Sequence, residues 1–444
     1  MRQKITQKTN RETFGSKAGF ILSCIGSAVG VGSIWLFPYR VGQYGGATFL
    51  LVYIFFIIIV GFSGVIGEIA FGRNTRSGPI EAFKKAVEHR NGKNWGKYLG
   101  MIPVLGSLFL AIGYSVVVGW ILRYLLRALF NLPLYPNAIE YFVEVSSNTT
   151  NCLWHILALV LTFAVMLGGI SKGIERANKF MIPIFFVLFI ILGIRIAFLP
   201  GSLKGYSYLF KPNWELLKDF KMWAVALGQA FFSLSLAGSG TIIYGSYLKK
   251  SEDIVSCAKN ISFYTLLASI LSALVVIPAV FAFNLQSNVS CGPPLMFITM
   301  PMVFNDMSMG WIAEIIFFVA VLFAAVTSLI NLFEVPVEAL KTQFNLSRKL
   351  SIGINLIIAI LIGVLIEDGA FLGRWMDFLT VYVVPIGALM AGVMFFWIYE
   401  KGFARKEVQQ GRSKQIGKWF EPLTRYVFIG VTLLVLLLGV FGKS

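Results

Sequence analysis

Eleven runs of mostly apolar residues follow one another along this chain, near 17–41, 47–72, 98–129, 153–170, 179–199, 222–248, 261–284, 309–340, 351–366, 377–399 and 425–441. Each approaches the roughly 20 residues that carry a helix across a bilayer. A backbone amide left unpaired in hydrocarbon costs several kcal/mol, so the expected fold is an all-α membrane protein with eleven transmembrane helices. A mean hydropathy of +0.77, with 57% hydrophobic residues, is far too apolar for a soluble domain of this size.

Two of these runs are interrupted at mid-depth. Ser27-Ala28-Val29-Gly30-Val31-Gly32-Ser33 breaks the first, and Ser233-Leu234-Ser235-Leu236-Ala237-Gly238-Ser239-Gly240 breaks the sixth. Small residues and hydroxyls make a poor helix there, and a helix is broken inside a membrane only where its freed groups line a cavity or bind something. Two interrupted spans at matching places in two halves of a chain point to a transporter binding site.

The formal charge of +17 first suggests an anionic partner. Its distribution assigns that partner as anionic lipid and excludes nucleic acid. With the N-terminus cytoplasmic, 28 of the 38 Lys and Arg residues fall in cytoplasmic segments, as the positive-inside rule requires. An odd number of spans then places Gly442-Lys443-Ser444 outside a plasma (cell inner) membrane. The first seventeen residues are polar and basic; no cleavable leader is expected, and the first span is itself the targeting element.

Little else resembles reactive chemistry. The four cysteines show no metal spacing, and a bridge between Cys152 and Cys291 is left open. His89 and His155 are isolated and read as loop or interface residues, and no nucleophile, base or phosphate-loop pattern occurs, so no enzyme is expected. Asn148-Thr149-Thr150 is an external sequon. Glu68 is expected to face the bundle as a functional acid or a buried pair, with Arg73 reaching the cytoplasmic surface. Tyr114, at the middle of the third span, needs a partner for its phenol. Thr327 and Ser328 lie at mid-depth in the eighth, and Gly173 and Pro183 make a helix end that unwinds cheaply.

The run from Gly26 to Tyr39, with Gly45-Gly46, Glu68 to Arg73, Phe231 to Leu236, Thr327-Ser328 and Leu346 to Lys349, resembles the neurotransmitter:sodium symporters, of which the bacterial leucine transporter is a member. The resemblance implies inverted repeats at 17–199 and 200–400, preceded by a tail at 1–16 and followed by a cytoplasmic connector and eleventh helix at 401–444. It implies alternating access with sodium and substrate between the two breaks.

Carried over from the family, a second sodium site comprises the carbonyls of Gly26, Val29 and Ala324 and the hydroxyls of Thr327 and Ser328. These are neutral oxygens of the kind a hard cation takes. The first site retains Ala28 and Ser233 but has Ser33 and Tyr264 where asparagines are expected. A single coupled sodium is therefore expected. Ala268 stands where the family offers a chloride-binding serine or an acid, so no chloride rule carries over.

The implied substrate pocket is Ser27, Ala28, Val31, Gly32, Leu110, Tyr114, Phe232, Ser233, Ser235, Gly238, Ser328 and Leu332. Gly30, in place of the acid of monoamine transporters, points to an amino-acid substrate whose carboxylate sits beside Tyr114. Gly238, in place of a large side chain, points to bulky hydrophobic or aromatic ones, and Asn331 would add polarity. The family's gates place Arg11 inside, with Glu338 substituting for the acid replaced by Thr342. Outside, Asp377 faces Arg40, since Leu36 replaces the usual cation. The expected function is sodium-coupled amino-acid symport. A proton-coupled transporter and an amino-acid sensor on the same scaffold are the alternatives, and a channel is disfavoured by the absence of a continuous polar stripe. Oligomeric state is not legible.

Overall fold

The computed structural model describes residues 11–30, 32–147, 150–236, 239–285 and 294–441. Val31, Gly238, Cys291, Asn148 and Thr149 lie outside them. Among the described residues the chain is helical, with no strand. The first interrupted run forms α1 (Lys17–Ala28) and α2 (Gly32–Gln43), bent by 56° at the break. There follow α3 (Ala47–Thr75), α4 (Pro79–Asn91), α5 (Gly96–Leu129), α6 (Ala138–Val145), α7 (Cys152–Leu167), α8 (Ile170–Ala197) and α9 (Ser202–Phe210).

The second interrupted run forms α10 (Phe220–Ser233) and α11 (Gly240–Ser246). Then come α12 (Ile254–Ala282), α13 (Leu295–Asn305), α14 (Gly310–Phe344), α15 (Arg348–Leu365), α16 (Gly369–Ile398), α17 (Phe403–Gln409) and α18 (Phe420–Leu438). Eight of these are long and apolar enough to cross a membrane, and the bent pair α1–α2 makes a ninth. This is a multi-pass membrane protein.

Helices start where short polar side chains can satisfy orphan amides. Ser16 accepts from the Gly19 N–H at 3.0 Å, Asp253 from Val255 at 2.9 Å and Asp368 from Phe371 at 2.9 Å. The long helices α5 and α14 pack along each other, with α7 and α15 beside them, and α1 lies against α14. The broken helices thus rest on a continuous scaffold.

Several boundaries differ from the reading of apolar runs alone. α8 begins at Ile170, well before 179, because Gly169 (φ 73°) turns the chain and Ile170–Glu175 continues as a wide π-type turn. α16 begins at Gly369, where Asp368 caps it, so Asp377 lies inside the helix. The stretch 200–221 contains α9 and a short 3-10 turn, Trp214–Lys218. Arg73 does not reach the surface. It is fully buried beneath α17, where its Nε donates to Glu407 Oε1 at 2.9 Å and its other nitrogens donate to the carbonyls of Glu252, Gln410 and Glu407. A fully paired guanidinium tolerates burial that a free one would not.

Candidate functional site: the meeting of the two broken helices

The two breaks touch. Ser27 Oγ donates to Ser235 Oγ at 3.0 Å, and Ser235 Oγ donates to the Ser27 carbonyl at 2.6 Å. Ser235 and Ser239 adopt left-handed backbone (φ 54° and 58°), which a side chain disfavours and which ends helical geometry on both sides of the second break. The last carbonyls of α1, which have no partner within the helix, therefore point into the space between the breaks and α14.

These carbonyls meet the hydroxyls of α14. Thr327 Oγ1 lies 3.1 Å from the Gly26 carbonyl and 2.9 Å from that of Ala324, and Ser328 Oγ lies 2.9 Å from Gly26 and 3.0 Å from the Ser27 carbonyl. Gly26, Ala324, Thr327 and Ser328 are thereby gathered around one point, and Val29, three residues after Gly26, caps α1 with its N–H on the Ile25 carbonyl at 2.6 Å. A Cβ at Gly26 would stand 2.9 Å from Thr327 Cβ and 2.0 Å from Asn178 Oδ1, so only glycine permits this approach. The donors are neutral oxygens with no carboxylate among them, chemistry that fits a monovalent hard cation.

Above this point lies a small cavity of about 40 Å³, lined by Ser27, Ala28, Gly30, Gly32, Leu110, Tyr114, Phe232, Ser235, Gly240, Ser328, Asn331 and Leu332. Nine of the residues expected from sequence line it. Gly30 and Asn331, which the sequence set beside the pocket, line it as well; Gly240 is an addition, and Asn331 Nδ2 donates to the Gly240 carbonyl at 3.3 Å. Ser233 does not line it. It is buried behind the break, accepting from Gln229 Nε2 at 3.0 Å. A Cβ on Gly30 would stand 2.5 Å from both Tyr114 Oη and Ser328 Oγ, and one on Gly32 would stand 2.2 Å from the Phe232 ring. Phe232 therefore lies directly over the backbone of the first break.

The oxygens expected at the first sodium site are only partly assembled. Ser33 Oγ donates to the Ala28 carbonyl at a long 3.4 Å. Tyr264 is 39% exposed and stacks edge-on with Phe186 and Phe263 on the outside of the bundle, so it faces away from the breaks. Its neighbour Thr265 is buried instead, with no partner for Oγ1 among the described residues. Ala268 is buried, and the adjacent Ser269 lies 3.0 Å from Tyr53 Oη. Gln229 went unread in the sequence. It is buried one turn before Ser233, donates to the Gly32 carbonyl at 3.0 Å and leaves Oε1 without a partner among the described residues. An amide at i−4 from the break serine was the available signal.

The two faces of the bundle differ. At the face carrying residues 11–16, Arg11 pairs with Glu338 (2.5 Å) and donates to Ser246 Oγ (2.5 Å). Arg348 pairs with Glu334 at 2.7 Å, and Tyr247 Oη donates to Glu334 at 2.8 Å. Thr342 donates its hydroxyl to the Glu338 carbonyl. Glu12 accepts the Ile170 N–H at 2.8 Å, and Glu175 accepts Gly15 N–H at 2.6 Å and Ser16 Oγ at 2.8 Å. Burial alone would push the Glu12 carboxyl up, but the Ile170 N–H, then Arg348 and Lys341, outweigh it and hold the group below its ordinary value. Gly173 packs so closely on Gly168 that a Cβ would meet the Val165 carbonyl at 2.2 Å.

At the opposite face a vestibule of about 1160 Å³ opens over the cavity, with Trp35, Tyr39, Arg40, Trp120, Phe232 and Asp377 among its walls. Arg40 and Asp377 both line it without forming an ion pair; Arg40 instead reaches the Val225 carbonyl at 3.4 Å. His155 is not isolated. It is buried between Ser115 and Glu367, a grouping hidden in sequence by separations of 40 and 212 residues. Glu68 is buried; its Oε2 accepts the Thr241 hydroxyl at the start of α11, and Oε1 has no partner among the described residues.

Comparison with known proteins shows the family and the fold. The sodium:neurotransmitter symporter family model matches residues 11–155 and 137–442. An uncharacterized sodium-dependent transporter of Methanocaldococcus jannaschii is 31% identical over 94% of this chain and 88% of its own length. One from Bacillus subtilis is 35% identical over 76% and 74%. The sodium-dependent neutral amino acid transporter B(0)AT2 of Bos taurus is 29% identical over 61% of this chain and 40% of its own. The crystal structure of MhsT in complex with L-phenylalanine superposes with a TM-score of 0.86 at 31% identity, covering 97% of this chain and all of that one.

Proposed function

Because the chain belongs to the sodium:neurotransmitter symporter family, we propose that it carries amino acids with bulky apolar or aromatic side chains across the plasma (inner) membrane, driven by one sodium ion. The observation that carries this reading is the convergence of the Thr327 and Ser328 hydroxyls on the Gly26 carbonyl. It joins the broken helix α1 to the scaffold helix α14 through the atoms a transported cation would take. Sodium there is cargo, and it draws α1 and α14 together. The shortfall at the first set, where Tyr264 faces outward, supports a single ion.

The substrate reading rests on Gly30, Tyr114 and Phe232. Gly30 leaves the gap between the Tyr114 and Ser328 hydroxyls free of any side chain, which suits a substrate carboxylate. Leu110, Phe232 and Leu332 give the remainder of the wall an apolar character. MhsT, solved with L-phenylalanine, supports an aromatic side chain in that space. A cavity of 40 Å³ is too small for such a molecule, so its walls part to admit it, and we assign that movement to Phe232, which lies over Gly32. We place residues 11–16 on the cytoplasmic side. The ion pairs there close that face while the vestibule stands open to the exterior, one of the two states that alternating access requires.

The test is uptake of all twenty amino acids into proteoliposomes with and without an inward sodium gradient. Phenylalanine, tyrosine, tryptophan or leucine should accumulate only with sodium, with a hyperbolic sodium dependence. Binding without accumulation would make the protein a sensor. Proton coupling is a second reading, favoured by Glu68 Oε1, which has no partner among the described residues; accumulation under a proton gradient without sodium would establish it in place of the first.

A further inference from the structure

Ser115, Asn151, His155 and Glu367 form a fully buried hydrogen-bonded group drawn from α5, the start of α7 and the turn before α16. Ser115 Oγ lies 2.7 Å from the Ile112 carbonyl and 2.8 Å from His155 Nε2. The carbonyl can only accept, so the single hydroxyl proton goes to it, and Nε2 must donate to Oγ. His155 Nδ1 is 2.8 Å from Glu367 Oε1, and Asn151 Nδ2 donates to Glu367 Oε2 at 2.7 Å. One proton therefore lies between the imidazole and the carboxyl, and the pair is neutral as a whole whichever atom carries it.

The site is built around the imidazole. A Cβ on Gly363 would stand 2.0 Å from His155 Cε1, so this glycine makes room for the ring, and one on Gly119 would stand 2.8 Å from the His155 backbone nitrogen, so a second glycine lets the start of α7 approach α5. Buried ionisable groups in a membrane are costly and mark functional positions.

The position in the fold suggests which function. Glu367 directly precedes Asp368, the cap of α16, and the Gly369 N–H donates to the Ser146 carbonyl at 3.0 Å beside the vestibule. α16 carries Met376 and Asp377 into that vestibule, and Trp375 Nε1 donates to the Phe109 carbonyl at 3.0 Å. Ser115 immediately follows Tyr114 in the substrate cavity. The group thus pins the origin of the gate helix to the helix that touches substrate. We propose that Ser115, Asn151, His155 and Glu367 are positioning residues that form the pivot on which α16 swings when the vestibule closes. This rests on the transport reading above. A neutral hydrogen-bonded pivot is directional, holding the start of α16 while its remainder rotates, and apolar packing of the same volume lacks that direction.

The test places a cysteine at Val381, on the vestibule wall of α16, in a background with Cys152→Ser and Cys291→Ser, and follows labelling by a water-soluble maleimide. Sodium with phenylalanine should slow labelling of this parent by about fivefold or more, since closure is a population shift. Failure of the parent to slow would remove the transport reading itself. Glu367→Gln keeps every hydrogen bond, donating to Nδ1 and accepting from Asn151, and should preserve the slowing. The paired replacement His155→Phe/Glu367→Leu should fold, because apolar pairs commonly replace buried ionic ones at little cost. Slowing should then fall below about twofold and the substrate KM should rise about tenfold. Slowing equal to the parent in that folded variant overturns the proposal, as does its loss in Glu367→Gln. Should the double variant fail to fold, Ser115→Ala is read the same way, with at least half the slowing lost as the expected result and no change overturning it.

Discussion

Thr327 and Ser328 show how a hydroxyl's role is set by what faces it. On an isolated helix each would bond back to the preceding turn, and Thr327 does reach the Ala324 carbonyl. Both also reach Gly26 on a different helix, which only a broken α1 can offer. Thr327→Ala/Ser328→Ala should lower sodium-stimulated phenylalanine uptake by about tenfold or more, corresponding to about 1.4 kcal/mol or more of lost sodium binding; unchanged sodium dependence would refute the assignment. Ser33→Ala, at the poorly assembled first set, should change it by less than about twofold. Gly30→Ala puts a methyl 2.5 Å from two hydroxyls, one of them the Ser328 hydroxyl of the proposed sodium set, and should raise the substrate KM about tenfold and reduce sodium-dependent thermal stabilisation as well; an unchanged KM would refute the pocket assignment.

Among the elements, α8 combines several features that weaken a helix at its start. Its first turn is π-type, it follows two glycines, and Pro183 removes a backbone donor seven residues after Arg176 opens the regular helix. Glu12 holds the Ile170 amide and Glu175 holds the Gly15 amide, so the N-terminal segment and the start of α8 brace one another. The Glu12 carboxyl lies below its ordinary value, so its bracing is present above the usual carboxylate range and is lost as the pH falls through the lowered value. Glu12→Gln should lower the melting temperature at neutral pH, and the difference from wild type should shrink as the medium is acidified below that range. A difference independent of pH would show that the carboxylate charge is not what braces α8.

At the scale of the whole molecule, the structure is closed by ion pairs on one face and open on the other. Arg11→Ala removes the Glu338 pair and the Ser246 bond together. A cysteine at Val381 should then label more slowly than in the parent even without substrate, because the molecule spends more time open to the cytoplasm. Equal labelling would place the closing energy elsewhere, in Arg348–Glu334 and the buried aromatic side chains of Phe14 and Tyr247. The Arg40–Asp377 contact, absent in this open state, is expected to form only when α16 moves.

The sequence by itself determined the membrane class, the helical fold, the two breaks and the residues that meet between them. The first three follow from local chemistry, since apolar length decides a span and glycine and serine at mid-depth decide where a span gives way; the residues between the breaks were named by the resemblance to a family. Arg11 on Glu338 was also within reach, because Glu338 stands one helical turn from Thr342, which replaces the family's acid. Only the tertiary structure decided the rest. Tyr264 and Thr265 differ by one position but by 100° around a helix, and packing alone says which points inward. Arg73 needed α17, over three hundred residues away, to make its burial tolerable. His155 became part of a neutral buried pivot only when helices distant in the chain closed around it, since a proton is shared across space and leaves no trace in spacing along the sequence.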